Sequence, residues 1–257
     1  MCNFMGTIVS KVQLIKLMKI EKELGLLAAM GYLEIIKDGF RYSNSVVITK
    51  KGDNDIEASA MHWEFIPPWI KNATELKVVR KQGIPWLNAT SEKLLDSKMF
   101  RASALKRRCL VLATHFFEWR HFKPAGVKKE FSYPYVIRTT EDYFYMAGIW
   151  QPWTDKETGE IINTFAIITT KANKLMEQIH NTKKRMPTIL TEKLAYEWIM
   201  EDLNEERIKE IASYQLPSQY MYAHTIVKDF KTAEDPTKEF IYEDLPVINF
   251  NKTQIME

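Results

Sequence analysis

The apolar and polar positions along the chain mark out a mixture of helices and strands. Leu14, Leu17, Met18, Leu24 and Leu27 fall on one face of a helix expected from about Lys11 to Ala29. Strands are expected over Arg41 to Thr49 and over Ser59 to Ile66, where Pro67-Pro68 ends regular pairing. Leu110 to Trp119 reads as one strongly apolar strand. Tyr133 to Arg138 and Tyr143 to Trp150 flank Thr139-Thr140-Glu141-Asp142, which reads as a hairpin turn. Asn163 to Thr169, Met186 to Leu190 and Met221 to Lys228 supply further strands. Helices are expected over Lys171 to His180, Glu192 to Glu201 and Glu205 to Tyr214, the last with Asn204 as N-cap. This order describes an α+β fold with mainly antiparallel strands. There is no repeat or low-complexity stretch, and Gly and Pro are scattered. One domain over residues 1–245 is therefore expected, with a poorly ordered tail over 246–257.

Composition narrows the class. Of 257 residues, 46% are apolar and 27% charged, which suits a sizeable core and argues against disorder. The net charge is +3, from 36 basic and 33 acidic residues, so nucleic-acid binding would need a local patch. Lys106-Arg107-Arg108, Lys128-Lys129 and Lys183-Lys184-Arg185 are candidates, and each reads equally as solvated surface. Two cysteines, Cys2 and Cys109, do not make a disulfide framework and fit a reducing compartment. Cys109 begins the apolar run Cys109-Leu110-Val111-Leu112-Ala113 and reads as a buried strand thiol. Lys16, Lys19 and Glu21 interrupt any signal-peptide pattern, and no run approaches the ~18 apolar residues of a membrane span. A soluble, cytoplasmic chain without a membrane partner is expected.

Cys2 carries the sharpest chemistry. Removal of Met1 would leave a free α-amine and a free thiol on one residue, a 1,2-aminothiol. Such a pair condenses with aldehydes: the amine forms a Schiff base and the sulfur closes a five-membered thiazolidine. An α-amine has a pKa near ~7.7–8.0 against ~10.4 for lysine, so a useful fraction is nucleophilic at neutral pH. By itself a Met-Cys start is also a common accident of position. Glu118, in Thr114-His115-Phe116-Phe117-Glu118-Trp119, is either a buried proton shuttle or a strand-end carboxylate reaching solvent. Strict alternation would put it on one face with Leu110, Leu112, Thr114 and Phe116. His180 ends an expected helix and suits either acid–base work or capping. Trp63 to Trp69 (WEFIPPW) sets aromatics about a rigid turn, where Trp69 is placed to stack on unpaired bases or to pack in a core. Asn88 is either a donor to substrate oxygen or a turn residue. The five histidines show no zinc spacing with the cysteines, and no phosphate-binding glycine loop or G-x-S-x-G elbow is present, so no metal and no cofactor are expected.

The order of these segments is more specific than any one of them. Met1-Cys2, WEFIPPW, NATSE from Asn88, Phe100-Arg101, Arg107-Arg108-Cys109-Leu110, FFEW ending at Trp119, Ala147-Gly148-Ile149-Trp150, Ile168 to Asn173, and His180 with Arg185-Met186-Pro187 follow one another. This succession, from Cys2 to about Lys228, resembles the SRAP family, the SOS-response-associated peptidases that process abasic sites. The resemblance implies a β-rich α+β fold and a thiazolidine link between Cys2 and the ring-opened deoxyribose of an abasic site. It implies single-stranded DNA and ss/ds junctions as partners, with the lesion shielded from cleavage; a monomer is expected. It implies catalytic roles for Cys2, Glu118 (proton transfer), His180 (ring opening and reversal) and Asn88. It implies DNA contacts by Trp69 and Arg185 and in the region of Thr90 and Arg101.

Three departures stand out. Thr90 occupies the place of the family's usual arginine after Asn-Ala, with Lys93 or Arg101 as candidate substitutes. Asn3-Phe4 replace the usual Gly-Arg after Cys2. Asn181 to Lys184 stretch the usual His-x-Arg-Met-Pro spacing. An N-terminal cysteine peptidase acting on peptides is the alternative, and a non-catalytic single-strand binder the third reading.

Overall fold

In the computed structural model, which describes residues 2–7, 21–83 and 85–248, the strands are β1 (Phe4–Gly6), β2 (Lys37–Asp38), β3 (Asn44–Lys51), β4 (Asp55–Trp63), β5 (Asn88–Thr90), β6 (Arg108–Ala113), β7 (His115–Phe122), β8 (Phe131–Thr139), β9 (Phe144–Thr154), β10 (Ile161–Lys171), β11 (Arg185–Pro187), β12 (Ile189–Leu190) and β13 (Met221–Thr225). The helices are α1 (Glu21–Ala29), α2 (Ala73–Lys81), α3 (Arg101–Lys106), α4 (Met176–Ile179), α5 (Glu192–Met200) and α6 (Glu205–Ala212). β4, β3, β6 and β9 pair antiparallel in succession. β10 then pairs antiparallel with β9 and parallel with β4, which closes a ring. β11 and β5 extend from β10, and β12 from β9. A second sheet runs β13-β8-β7-β1-β2. The expected α+β class with mainly antiparallel pairing holds, with parallel pairing where β10 meets β4 and β5.

Close packing fixes the ring. The rings of Trp63 and Phe165 stack at 6.2 Å inside it, and the buried Trp198 of α5 donates to the carbonyls of Cys109 and Gly148. A Cβ at Gly148 would lie 2.8 Å from the Cys109 Sγ and 3.2 Å from the Ala166 carbonyl, so β9 needs glycine between β6 and β10. Cys109 is the buried strand thiol expected, and burial pushes it well up.

Several expectations are corrected. The apolar run Leu110 to Trp119 is two strands in two sheets, β6 and β7, broken at Thr114. The Thr114 N–H donates to the Gly6 carbonyl at 3.0 Å, and the alternation changes phase there. Leu110 and Leu112 enter one core cluster, while Val111, Ala113 and Phe116 enter another. Strict alternation therefore does not carry through to Glu118. Thr139 to Asp142 is not a hairpin turn either, because β8 pairs with β7 and β13 while β9 belongs to the ring; the turn carries the chain between sheets. Of the helix expected over Lys171 to His180, Lys171 ends β10 and the helix covers Met176–Ile179, its start fixed by Asn173 Oδ1 accepting from the Met176 N–H at 3.0 Å. Met186 to Leu190 divides at Thr188 between β11 and β12. Asn204 caps α6 as expected, accepting from the Arg207 N–H at 2.8 Å. Residues 11–20 of the first expected helix, and the tail from 249, lie outside the described residues. At the start of that tail the Pro246 carbonyl accepts from Arg120, and Ile248 packs against the core.

Candidate active site

β1 brings the N-terminus to the second sheet. Its register on β7 is Phe4 to Phe117, Met5 to Phe116 and Gly6 to His115. A Cβ at Gly6 would stand 1.8 Å from the Ile35 carbonyl and 2.3 Å from the His115 Nε2, so this approach requires glycine. Just ahead of β1, Cys2 is buried in a cluster with Met5, Trp63, Leu87 and Phe116. Burial, reinforced by the charge of Glu118, holds the thiol protonated well above its ordinary range.

Glu118 follows immediately on the stretch of β7 that β1 covers. Beyond it, the side chain of Asn181 takes over pairing with β7, accepting from the His121 N–H at 3.0 Å and donating to the His121 carbonyl at 2.7 Å. This clamp holds the end of α4 against β7. His180 Nε2 thereby comes to 4.0 Å from Glu118 Oε2. His180 Nδ1 lies 2.9 Å from the Arg185 carbonyl. A carbonyl only accepts, so Nδ1 carries the hydrogen, and in the neutral ring Nε2 turns its lone pair towards Glu118.

Burial sets the protonation of the pair. It pushes the Glu118 carboxyl up to about 7, against a hydrogen bond from the Trp119 N–H and the charge of Lys183. It pushes His180 down to about 4, with the charges of Lys183 and His121 acting in the same direction. Near neutrality His180 is neutral and Glu118 gives up or takes a proton readily, which is the condition for acid–base work. Of the two readings of Glu118, the buried carboxylate holds.

A cavity of about 350 Å³ opens on the pair, lined by Asn3, Glu118, Trp119, His121, Ser132, His180, Thr182 and Lys183. Asn88 joins through Asn3: its Nδ2 donates to Asn3 Oδ1 at 3.1 Å, and its buried Oδ1 has no partner among the described residues. A larger cavity of about 400 Å³, walled by Tyr143, Tyr145, Leu190 and Tyr220, holds none of the candidate residues.

The other candidates are dispersed. Trp69 is 56% exposed in the turn after Pro67-Pro68, whereas Trp63 is buried and donates to the Leu87 carbonyl. Thr90 pairs with Thr169 beside Asn88. The Arg185 guanidinium is engaged by Glu92 Oε1 at 2.5 Å and by the Thr169 carbonyl, while its own carbonyl orients His180. Arg101 is tied to Glu205 at 2.5 Å and to the Leu95 carbonyl, away from the cavity lining. Arg108 donates to the carbonyls of Ala104, Leu105, Trp198 and Glu201 where α3 and α5 end, a capping role. Lys128-Lys129 is exposed between β7 and β8. Asn181 had no signal beyond its place in the stretched motif, Lys183 had also the basic run Lys183-Lys184-Arg185, and Asn3 had none beyond its neighbour Cys2. Among the described residues, no three His, Cys, Asp or Glu side chains converge as metal ligands, and no helix is long and apolar enough to cross a membrane.

Residues 39–232 match the family described as SOS response associated peptidase (SRAP). The chain belongs to the SRAP family. Among curated relatives of this SRAP chain is the abasic site processing protein YoqW of Bacillus subtilis (strain 168), 34% identical over 157 residues. That alignment covers 61% of this chain and 62% of YoqW. The abasic site processing protein HMCES of Gallus gallus is 28% identical over 195 residues, covering 70% of this chain and 55% of that one. This chain thus spans less than two thirds of the length of either relative. Among solved structures, a protein from Bacteroides thetaiotaomicron superposes with a TM-score of 0.74 at 28% identity, covering 92% of this chain and 97% of that chain.

Proposed function

We propose that this chain processes abasic sites in single-stranded DNA and at ss/ds junctions by forming a thiazolidine crosslink through Cys2 after Met1 is removed. The observation that carries this reading is a cavity on which Glu118 and His180 face each other at 4.0 Å, lined also by Asn3, the neighbour of the buried Cys2 whose thiol feels the charge of Glu118. The names of the relatives support the substrate class.

His180 Nε2 takes the proton of the sugar's C1 hydroxyl as the ring C1–O bond breaks and passes it to the ring oxygen, giving the aldehyde. The Cys2 amine attacks that carbon, forming a C–N bond, and one amine proton passes by way of Glu118 to the carbonyl oxygen, giving a carbinolamine. Glu118 then carries the second nitrogen proton to the hydroxyl as the C–O bond breaks, so one water leaves and an imine remains. The thiol adds to the imine carbon, and its proton goes to the imine nitrogen. The new ring contains sulfur, the sugar carbon, nitrogen, Cα and Cβ. The closure is intramolecular, so it does not need the large thiolate fraction that burial denies Cys2. Asn88 Oδ1, buried and without a partner among the described residues, supplies an acceptor for a sugar hydroxyl. Trp69 offers a stacking face for an unpaired base.

The test is incubation of processed protein with an abasic-site oligonucleotide. A heat-stable band absent in Cys2→Ala is expected, formed more slowly by Glu118→Gln at nearly unchanged DNA affinity. Peptide cleavage without crosslinking would favour a peptidase. Salt-sensitive binding that survives Cys2→Ala with no preference for abasic DNA would leave a simple binder.

A further inference from the structure

The turn from Asn181 to Lys184 does more than separate His180 from Arg185. It is fixed at both ends. Asn181 is clamped to the backbone of His121 by two hydrogen bonds. Lys184 takes a left-handed conformation, φ 49°, its N–H donating to the His180 carbonyl and its carbonyl accepting from the Ala172 N–H. The backbone between them is therefore held, and it projects Thr182 and Lys183 into the lining of the 350 Å³ cavity.

Among the described residues, Lys183 is the one lysine or arginine in that lining. Its charge acts on both Glu118 and His180. Among the described residues it forms no ion pair, whereas the neighbouring Arg185 is committed to Glu92 and Thr169. A cation at a reaction cavity that is committed to no ion pair is matched to an anion brought by the substrate.

We propose that Lys183, assisted by the Thr182 hydroxyl, binds a phosphodiester flanking the abasic sugar and so fixes the register of the sugar over Cys2. This rests on the reading that abasic DNA is the substrate. Bound phosphate also offsets the lysine charge felt by Glu118 and favours its protonated form, so that substrate binding readies the acid for water loss.

The test uses the full chain with Cys2→Ala, which binds without reacting, and a single strand carrying a tetrahydrofuran abasic analogue. Binding is followed by fluorescence anisotropy over a salt series. Loss of one phosphate contact lowers the slope of log affinity against log salt by ~0.7. The advantage of the parent over Lys183→Ala should therefore shrink about 2.6-fold between 50 and 200 mM salt. Lys183→Arg should restore the slope. With Cys2 present and processed, Lys183→Ala should lose more rate on abasic DNA than on free 2-deoxyribose, which has no phosphate. Equal slopes, or equal losses on both aldehydes, would overturn the assignment and leave the abasic-site reading intact. Failure of the Cys2→Ala chain to bind the analogue at any salt would overturn both.

Discussion

Glu118→Gln separates the two titrations of the site. The carboxyl moves from an ordinary 4.5 to about 7 on folding. A folded-state pKa above the unfolded one contributes stability that is complete below pH 4.5 and lost as pH rises through 7. At about 1.4 kcal/mol per unit, the loss is about 3 kcal/mol. His180 moves the other way, from 6.5 to about 4. Its contribution is complete above 6.5 and lost as pH falls through 4, again by about 3 kcal/mol. The two slopes oppose each other between pH 4.5 and 6.5, so the site alone leaves the parent nearly flat there. Glutamine keeps the shape of the protonated acid without titrating. The stability of Glu118→Gln should therefore gain on the parent by about 3 kcal/mol between pH 4.5 and 8. Against the same background, His180→Gln should fall behind by a similar amount between pH 4 and 6.5. Urea unfolding at each pH gives both differences. A constant gap between Glu118→Gln and the parent across pH 4–8 would refute the raised carboxyl and with it the acid role.

Gly6→Ala, whose new Cβ meets the Ile35 carbonyl and His115, should lower the thermal midpoint and slow crosslinking together, read by calorimetry and gel assay. Asn181→Ala removes both bonds to His121 and should cost about 1–3 kcal/mol in urea unfolding, with a larger fall in crosslinking rate than in DNA affinity as His180 loses its support. Trp69→Ala should leave the thermal midpoint unchanged, because the side chain is exposed, and weaken single-strand binding by ~1–3 kcal/mol in a titration.

The chemistry was more legible than the packing. Cys2, Glu118 and His180 stand out as candidates through the order of their segments, since each residue alone leaves two readings open. Their meeting depends on distant contacts: Gly6 against Ile35 and His115, and Asn181 against His121. Thr114 shows why the strands were misjoined. An apolar run has the same composition whether it continues straight or passes from one sheet to another, and here the bond to Gly6 decides. The segment Thr139 to Asp142 misled for the same reason, since turn residues mark a reversal but not the partner. The start of α2 is written in the sequence as Asn-x-x-Glu, a capping pattern: Asn72 accepts from the Glu75 N–H at 2.8 Å, and Glu75 Oε2 accepts from the Lys71 N–H at 2.8 Å. For Arg101 and Arg185, residue type announced charge, but the ion pairs with Glu205 and Glu92 had to be seen in three dimensions.

The most direct measurement is the intact mass of the denatured product of processed protein and an abasic oligonucleotide. A thiazolidine at Cys2 gives the summed mass less one water, on a chain lacking Met1, and resists borohydride because no imine remains. Absence of an adduct, or an adduct that borohydride traps at a lysine, would contradict ring closure by the cysteine.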